Sequence, residues 1–293
     1  MGIGDCFIKL INRVTITDTE WTAITGHADE IGIRLKKNFG ITEVRRLGSH
    51  ERGTAIHNYS DLDLFMVLKK SEVTRGGQIV GSNTVLENVR LDLIKRYQST
   101  NLGRDGQAIT IRFSDGTAVD VVPALFEGIN QTYKRPWYSI PDGQGGWIAT
   151  SPDSHTAYIQ NAHAASGNKF IFIVRLIKFW RECRNPRTPL NSFHAELLFA
   201  DQSTFSGVKS YAQCVHDAFA LLCQRKCRGM QDPLGISGLV AAASTQSKLN
   251  LVYEHAQVSL EKADKALGAE IGGDNVTARY YWDLVFNGGF PAL

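Results

Sequence analysis

Residues 62–68, Leu62-Asp63-Leu64-Phe65-Met66-Val67-Leu68, form an apolar run with one carboxylate set into it. Apolar residues on both sides of Asp63 read as a central strand of a sheet rather than an edge. A strand alternates faces, so residues i and i+2 share one. Asp61 lies two before Asp63, and that spacing predicts both carboxylates on one side, close enough to share cations. An Asp-x-Asp pair on its own is also what the wet face of a surface strand carries. A second run, Ala118-Val119-Asp120-Val121-Val122-Pro123-Ala124, narrows the choice. It reads as another buried strand, again interrupted by a carboxylate, Asp120. A buried Asp must be paired, hydrogen-bonded or metal-bound to offset its desolvation. If the two strands are neighbours, the three carboxylates cluster, and divalent cations relieve their repulsion.

Upstream of this pair, Val44-Arg45-Arg46-Leu47 ends in Gly48-Ser49. Backbone amides and a hydroxyl at such a turn suit phosphates, and the carboxylates suit Mg²⁺. Metal-dependent nucleotide transfer needs both. The Gly-Ser turn and the three strand aspartates resemble the nucleotidyltransferase fold of the polymerase-beta type.

A chain of 293 residues can bury a substantial core, as one large domain or two packed lobes. The net charge of +3 gives no bulk electrostatic reason for nucleic-acid or membrane binding. A local basic cluster remains at Arg175, Lys178, Arg181, Arg184 and Arg187. No apolar run reaches the roughly 20 residues that cross a membrane. The start of the chain lacks a basic-then-apolar leader. The five cysteines (Cys6, Cys183, Cys214, Cys223, Cys227) are scattered and offer no zinc-site spacing, so reduced thiols and a cytoplasmic location are expected.

Periodicity divides the chain into a mixed front half and a helical back half. Residues 17–38 read as a helix capped by Thr17 or Asp18, with Trp21, Ile24, Ala28, Ile31 and Leu35 as its apolar stripe. Strand 43–47, the Gly-Ser turn and the Asp-x-Asp strand follow. Residues 71–82 read as a loop and 83–98 as a helix. Strands 107–113 and 117–126 meet at Ser114-Asp115-Gly116, a hairpin signal. Ser151 can cap a helix with Pro152 at its first position. Residues 168–184 are apolar nearly all round, which predicts a central buried helix. Helices near 190–203, 207–226, 249–266 and 275–287 complete the chain.

The expected architecture is α+β: a catalytic lobe with a mixed twisted sheet over residues 1–150, a helical lobe over residues 151–293, and an active cleft between them. Helix 17–38 bridges the two.

Polar residues on the buried helix need a reason. Lys178 either reaches the surface or pairs with Glu182 at i+4, or it is a cation that meets a triphosphate. Ser192 and Phe193 are either a helix cap and a core ring, or a phosphate-binding hydroxyl beside a ring that stacks on a base.

The order of motifs sharpens the resemblance. It runs Gly48-Ser49, Arg52-Gly53-Thr54, Asp61-x-Asp63, Asp120-Val121-Val122-Pro123, Pro152-Asp153-x-His155 and Ile177-Lys178-Phe179-Trp180. Ser192-Phe193-His194-x-Glu196, Asp232-Pro233 and a closing Trp282-x-Leu284-Val285-Phe286 follow. Over nearly its whole length the chain resembles the bacterial cyclic GMP-AMP synthase and oligoadenylate synthase-like nucleotidyltransferases of anti-phage signalling.

The resemblance implies a cyclic di- or trinucleotide second messenger made from NTPs such as ATP and GTP, with pyrophosphate released and a downstream effector activated. It implies two Mg²⁺ ions, with Mn²⁺ as a substitute, on Asp61, Asp63 and Asp120. Gly48 and Ser49 match the phosphate-binding turn, and Lys178 and Ser192 match residues that hold the same triphosphate. Phe193 stands where the family usually has Tyr to stack on the donor base. The animal enzyme's zinc ribbon has no counterpart here, so no specific nucleic acid is expected, and a monomer is. The alternative is a transferase acting on RNA ends, or on a protein or tRNA.

Overall fold

The computed structural model describes residues 2–98 and 100–293. The chain divides into two compact units: Ile16–Thr156, and Met1–Thr15 together with Ala157–Leu293.

The first unit is built on a seven-stranded sheet. Its strands are β1 (Ile41–Leu47), β2 (Leu62–Leu68), β5 (Asn101–Asp105), β6 (Ala108–Arg112), β7 (Ala118–Asn130), β8 (Arg135–Pro141) and β9 (Trp147–Thr150). A separate hairpin of β3 (Thr74–Arg75) and β4 (Gln78–Ile79) lies inside the stretch expected to be loop. The strand order is β1-β2-β7-β6-β5, and β8, which pairs the far half of β7, carries β9. Among the described residues only β2 and β7 run parallel; every other ladder in the sheet is antiparallel. β7 is long because it serves both halves: Ala118–Val121 pairs β6, and Leu125–Asn130 pairs β8.

Alternation along β2 decides the packing. Leu62, Leu64, Met66 and Leu68 face α2 (Asp18–Asn38) and α4 (Ser82–Arg96). There they meet Ile24, Ala28, Ile31 and Leu35 of α2 and Val85, Leu86, Val89 and Leu93 of α4. Phe65 and Val67 point the other way, into a smaller cluster with Leu47, Ala108, Val122, Ala124 and Tyr138. Thr17 caps α2, its hydroxyl accepting from the Glu20 amide at 3.1 Å. The turn between β6 and β7 is closed by Asp115, whose carboxylate takes the Thr117 amide and hydroxyl (2.9 and 2.7 Å), with Gly116 at φ 88°.

The second unit is helical. It contains α1 (Ile3–Val14), most of α5 (Pro152–Ala165), α6 (Phe170–Glu182), α7 (Ser192–Asp201), α8 (Tyr211–Gln224), α9 (Gln246–Ile271) and α10 (Asn275–Val285). A short hairpin of β10 (Met230–Gln231) and β11 (Leu239–Val240) joins them. Helix α6 is buried at Phe170, Ile171, Ile173, Val174, Leu176, Ile177, Lys178 and Trp180, as its all-round apolarity requires.

Helix α1 had no place in the sequence reading. It buries Ile3, Cys6, Phe7, Leu10, Ile11 and Val14, spaced three and four apart. Phe7 packs edge-on against Trp282 at 5.0 Å and Phe290 at 4.9 Å. Burying one such ring is worth about 1.5–3 kcal/mol. The unit boundaries fall at 15/16 and 156/157, so α1 belongs with the helical unit although it opens the chain. Among the described residues, no helix is long and apolar enough to cross a membrane.

Candidate active site

Asp63 and Asp120 are register partners on the parallel strands β2 and β7. Neighbouring strands lie about 4.8 Å apart, so the two carboxylates share one face at that spacing. The face is the one opposite α2 and α4, because Leu62, Leu64, Val119 and Val121 take the helix side. Both aspartates are half-buried. Asp61 stands differently from expectation: β2 begins at Leu62, so Asp61 is the residue before the strand, also half-buried.

The register row continues to β1, where Leu47 pairs with Asp63. The next residue, Gly48, has φ 72°, a region that an L side chain rarely adopts. A Cβ built on it would stand 1.6 Å from Asp63 Oδ2. The glycine is therefore required by the carboxylate as much as by the turn, a reason no local pattern shows.

Ser49 is the second residue of the short helix α3 (Gly48–Arg52), half-buried, and its carbonyl accepts from the Thr54 and Ala55 amides at 2.9 and 3.0 Å. The chain then turns back: Ile56 N donates to Ser60 Oγ at 2.9 Å, just before Asp61. These bonds set Gly48 and Ser49 beside the start of β2.

The same face carries a side chain that the sequence reading passed over. Arg45, two residues before Leu47, makes a fork to Asp153 at 2.9 and 2.7 Å, with Tyr138 Oη at 3.4 Å. Such bidentate pairs are among the stronger side-chain contacts. Hydrogen bonding to Arg45 holds the Asp153 carboxyl below its ordinary range, against the opposing effect of burial. Burial pushes the nearby Glu51 carboxyl up, partly offset by its bond to Thr156 at 3.2 Å. The available signal was a strand arginine matched to the Asp of Pro152-Asp153.

In the helical unit, Lys178 takes neither of its simple alternatives. It pairs not with Glu182 but with Glu196 of α7, at 2.7 Å, with side-chain exposures of 7% and 0%. Glu182 instead receives Arg181 and Arg187. Ser192 is not the cap of α7: Asn191 is, its side chain accepting from Phe193 N at 3.0 Å and His194 N at 3.4 Å. The Ser192 hydroxyl accepts from Arg181 Nη1 at 2.5 Å. Lys178, Arg181 and Ser192 line one small cavity with Val174, Ile177 and Leu190. Phe193 is half-buried at the second position of α7, so it is not a core ring. His194 is buried, its Nε2 3.0 Å from the Arg228 carbonyl, and burial lowers its pKa.

The donor set can be tested against a cation. Among the described residues, no three His, Cys, Asp or Glu side chains form a ready-made metal cage. Asp63 and Asp120 form an opposed pair of hard oxygen donors, and the backbone at Gly48 leaves room for one of them. Mg²⁺ keeps several waters and is bound through one or two carboxylates plus substrate phosphates. An incomplete protein ligand set of this chemistry fits it.

The chain is similar to known proteins over most of its length. A family model described as Second Messenger Oligonucleotide or Dinucleotide Synthetase domain matches residues 1–162. A probable cyclic nucleotide synthase of Bacillus cereus (strain VD146) is 25% identical over 280 residues, 85% of this chain and 82% of that one. The cyclic AMP-AMP-AMP synthase of Escherichia coli (strain MS 115-1) is 23% identical over 282 residues, 86% and 84% of the two chains. The solved structure of E. coli MS115-1 CdnC with ATP covers 98% of both chains at 20% identity, with a TM-score of 0.74.

Proposed function

The chain belongs to the Second Messenger Oligonucleotide or Dinucleotide Synthetase family, and we propose that it joins NTPs into a cyclic di- or trinucleotide with release of pyrophosphate. The observation that carries this reading is the register pair Asp63–Asp120 with Gly48 shaped around the Asp63 carboxylate. A divalent cation held by Asp61, Asp63 and Asp120 would neutralise triphosphate charge and lower the pKa of the acceptor hydroxyl.

The chain's own residues do the rest. Ser49 and the backbone after Gly48 hold the donor phosphates. Asp120 orients the acceptor ribose hydroxyl and accepts its proton. The oxygen bonds to the α-phosphorus as the bond to the pyrophosphate oxygen breaks, in line. A second transfer of the same kind closes the ring, and no covalent link to the protein forms.

Lys178, held by Glu196, and Ser192, held by Arg181, are ordered before phosphate contact, which lowers the entropy cost of binding. Phe193 offers a stacking face for a base and no hydroxyl. The curated relatives are named for cyclic nucleotide synthesis, which supports the product class. The messenger would act in anti-phage defence through a separate effector, as the family resemblance implies.

The test uses labelled ATP, GTP, CTP and UTP with Mg²⁺, followed by phosphatase. A small phosphatase-resistant product is expected, absent without Mg²⁺ and absent from the Asp61→Ala/Asp63→Ala protein. Wild-type yield from that double variant would sink the reading. Extension of added RNA with no small product would assign the site to RNA ends instead.

A further inference from the structure

One side chain beside the carboxylates has no role in the chemistry above. Thr110 of β6 is the register partner of Asp120, which partners Asp63, which partners Leu47. The row Thr110–Asp120–Asp63–Leu47 crosses four strands. Ile109 and Ile111 pack toward α2 and α4, so alternation puts Thr110 on the opposite face, with the aspartates. Thr110 is 4% exposed. Among the described residues its Oγ1 is buried and has no hydrogen-bond partner.

A β-branched residue here needs no explanation, because strands favour them. The hydroxyl does. Valine has nearly the same shape and would fill the site without burying a polar group. Buried polar atoms are nearly always satisfied, and exceptions mark strain or function. The side chain opposite Thr110 on this face is the Asp120 carboxylate. Cross-strand partners on one face hold their Cβ atoms about 4.5–5.5 Å apart, within reach of a rotating hydroxyl.

We propose that Thr110 is a positioning residue for Asp120: its Oγ1–H donates to the Asp120 carboxylate and fixes its orientation when a divalent cation is bound. This rests on Asp120 being a cation ligand. Groups that orient a ligand typically change metal affinity about 10–100-fold when removed.

The experiment measures Mn²⁺ affinity of the full chain without nucleotide, by paramagnetic resonance of the free ion. Wild type, Thr110→Val, Thr110→Ser and Asp120→Asn are compared, each with a thermal melt. Thr110→Val should weaken Mn²⁺ binding about tenfold or more. Its melting temperature should stay at or above wild type, since valine removes an unpaired polar group. Thr110→Ser should recover most of the affinity.

Wild-type Mn²⁺ affinity in Thr110→Val overturns the proposal. So does a loss that Thr110→Ser fails to rescue, or one that comes with a lowered melting temperature, since either means packing. Wild-type affinity in Asp120→Asn, or no Mn²⁺ binding by wild type, overturns the cation-site reading, and the positioning role falls with it.

Discussion

The sheet unit and the helical unit bring their candidate site residues together by different means. In the sheet, two like charges, Asp63 and Asp120, stand opposite each other because the β2–β7 ladder puts them there. In the helices, unlike groups meet by side-chain choice: Lys178 finds Glu196, and Arg181 finds Ser192 and Glu182. A ladder sets backbone register over many residues at once, so it can override repulsion at one pair. A helix face leaves long side chains to select partners, and burial favours matched charges. The sheet thus gathers like groups by register, and the helices gather unlike ones by side-chain choice.

The sharpest way to break this contrast is at Gly48. Gly48→Ala puts a Cβ where Asp63 Oδ2 lies and strains a positive φ. Cyclic product should fall at least about 10²-fold, since misplacing a catalytic group by about 1 Å costs that much. Gly116→Ala is the control: φ is 88° but nothing lies within 4 Å, so a stability cost of about 1 kcal/mol with activity kept is expected. Equal losses of activity in the two would mean strain alone is responsible, and the carboxylate cradle would be wrong.

In the helical unit the corresponding break is Glu196→Ala. It leaves Lys178 buried without its ion-pair partner and should cost roughly 3–5 kcal/mol in denaturant unfolding. The double replacement Lys178→Met/Glu196→Leu should recover most of that stability while losing activity. If the double variant is as unstable as the single, the loss comes from the missing pair itself and not from an orphaned buried lysine.

Acid separates the units by a different route. Burial lowers the pKa of His163, His194 and His255, all in the helical unit. Their unfolded forms bind protons first, so this unit loses stability as pH falls from about 6.5. Asp153, in the sheet unit, is depressed by Arg45. Its contribution is present above about pH 4 and is lost as pH falls through the lower folded value. Hydrogen exchange followed by fragment should show helical protection fading first. Simultaneous loss in both units would contradict the separation.

The smallest effect is expected at Asn191→Ala, which removes the α7 cap and should cost about 1 kcal/mol. Ser192→Ala removes the bond from Arg181 but leaves the cap, so the first turn of α7 should keep its amide protection. Fraying of that first turn in Ser192→Ala but not in Asn191→Ala would reverse that assignment.

Strong periodicity made most elements legible. Helices α2, α4 and α6, the β2 and β7 cores, and the β6–β7 turn all stand where local pattern put them. Helix α1 was equally periodic, at Ile3, Phe7, Leu10 and Val14, and was missed because its partners lie at Trp282 and Phe290. Strand β5 and the two small hairpins were missed because their runs are too short to show a period.

Asp63 and Asp120 were legible as candidates because carboxylates in apolar runs need an explanation that nearby residues do not supply. Local sequence determined which residues are candidates for the chemistry and which face of each strand or helix they occupy, since alternation and the helical period are properties of a few neighbours. Only the tertiary structure decided which of them meet. Asp120 lies opposite Asp63 and Thr110, Asp63 fills the space Gly48 leaves, and Lys178 takes Glu196 over Glu182. Register and partner choice are set by contacts between distant segments, and a one-residue slip of a strand would turn its side chains, Asp63 or Asp120 among them, to the other face.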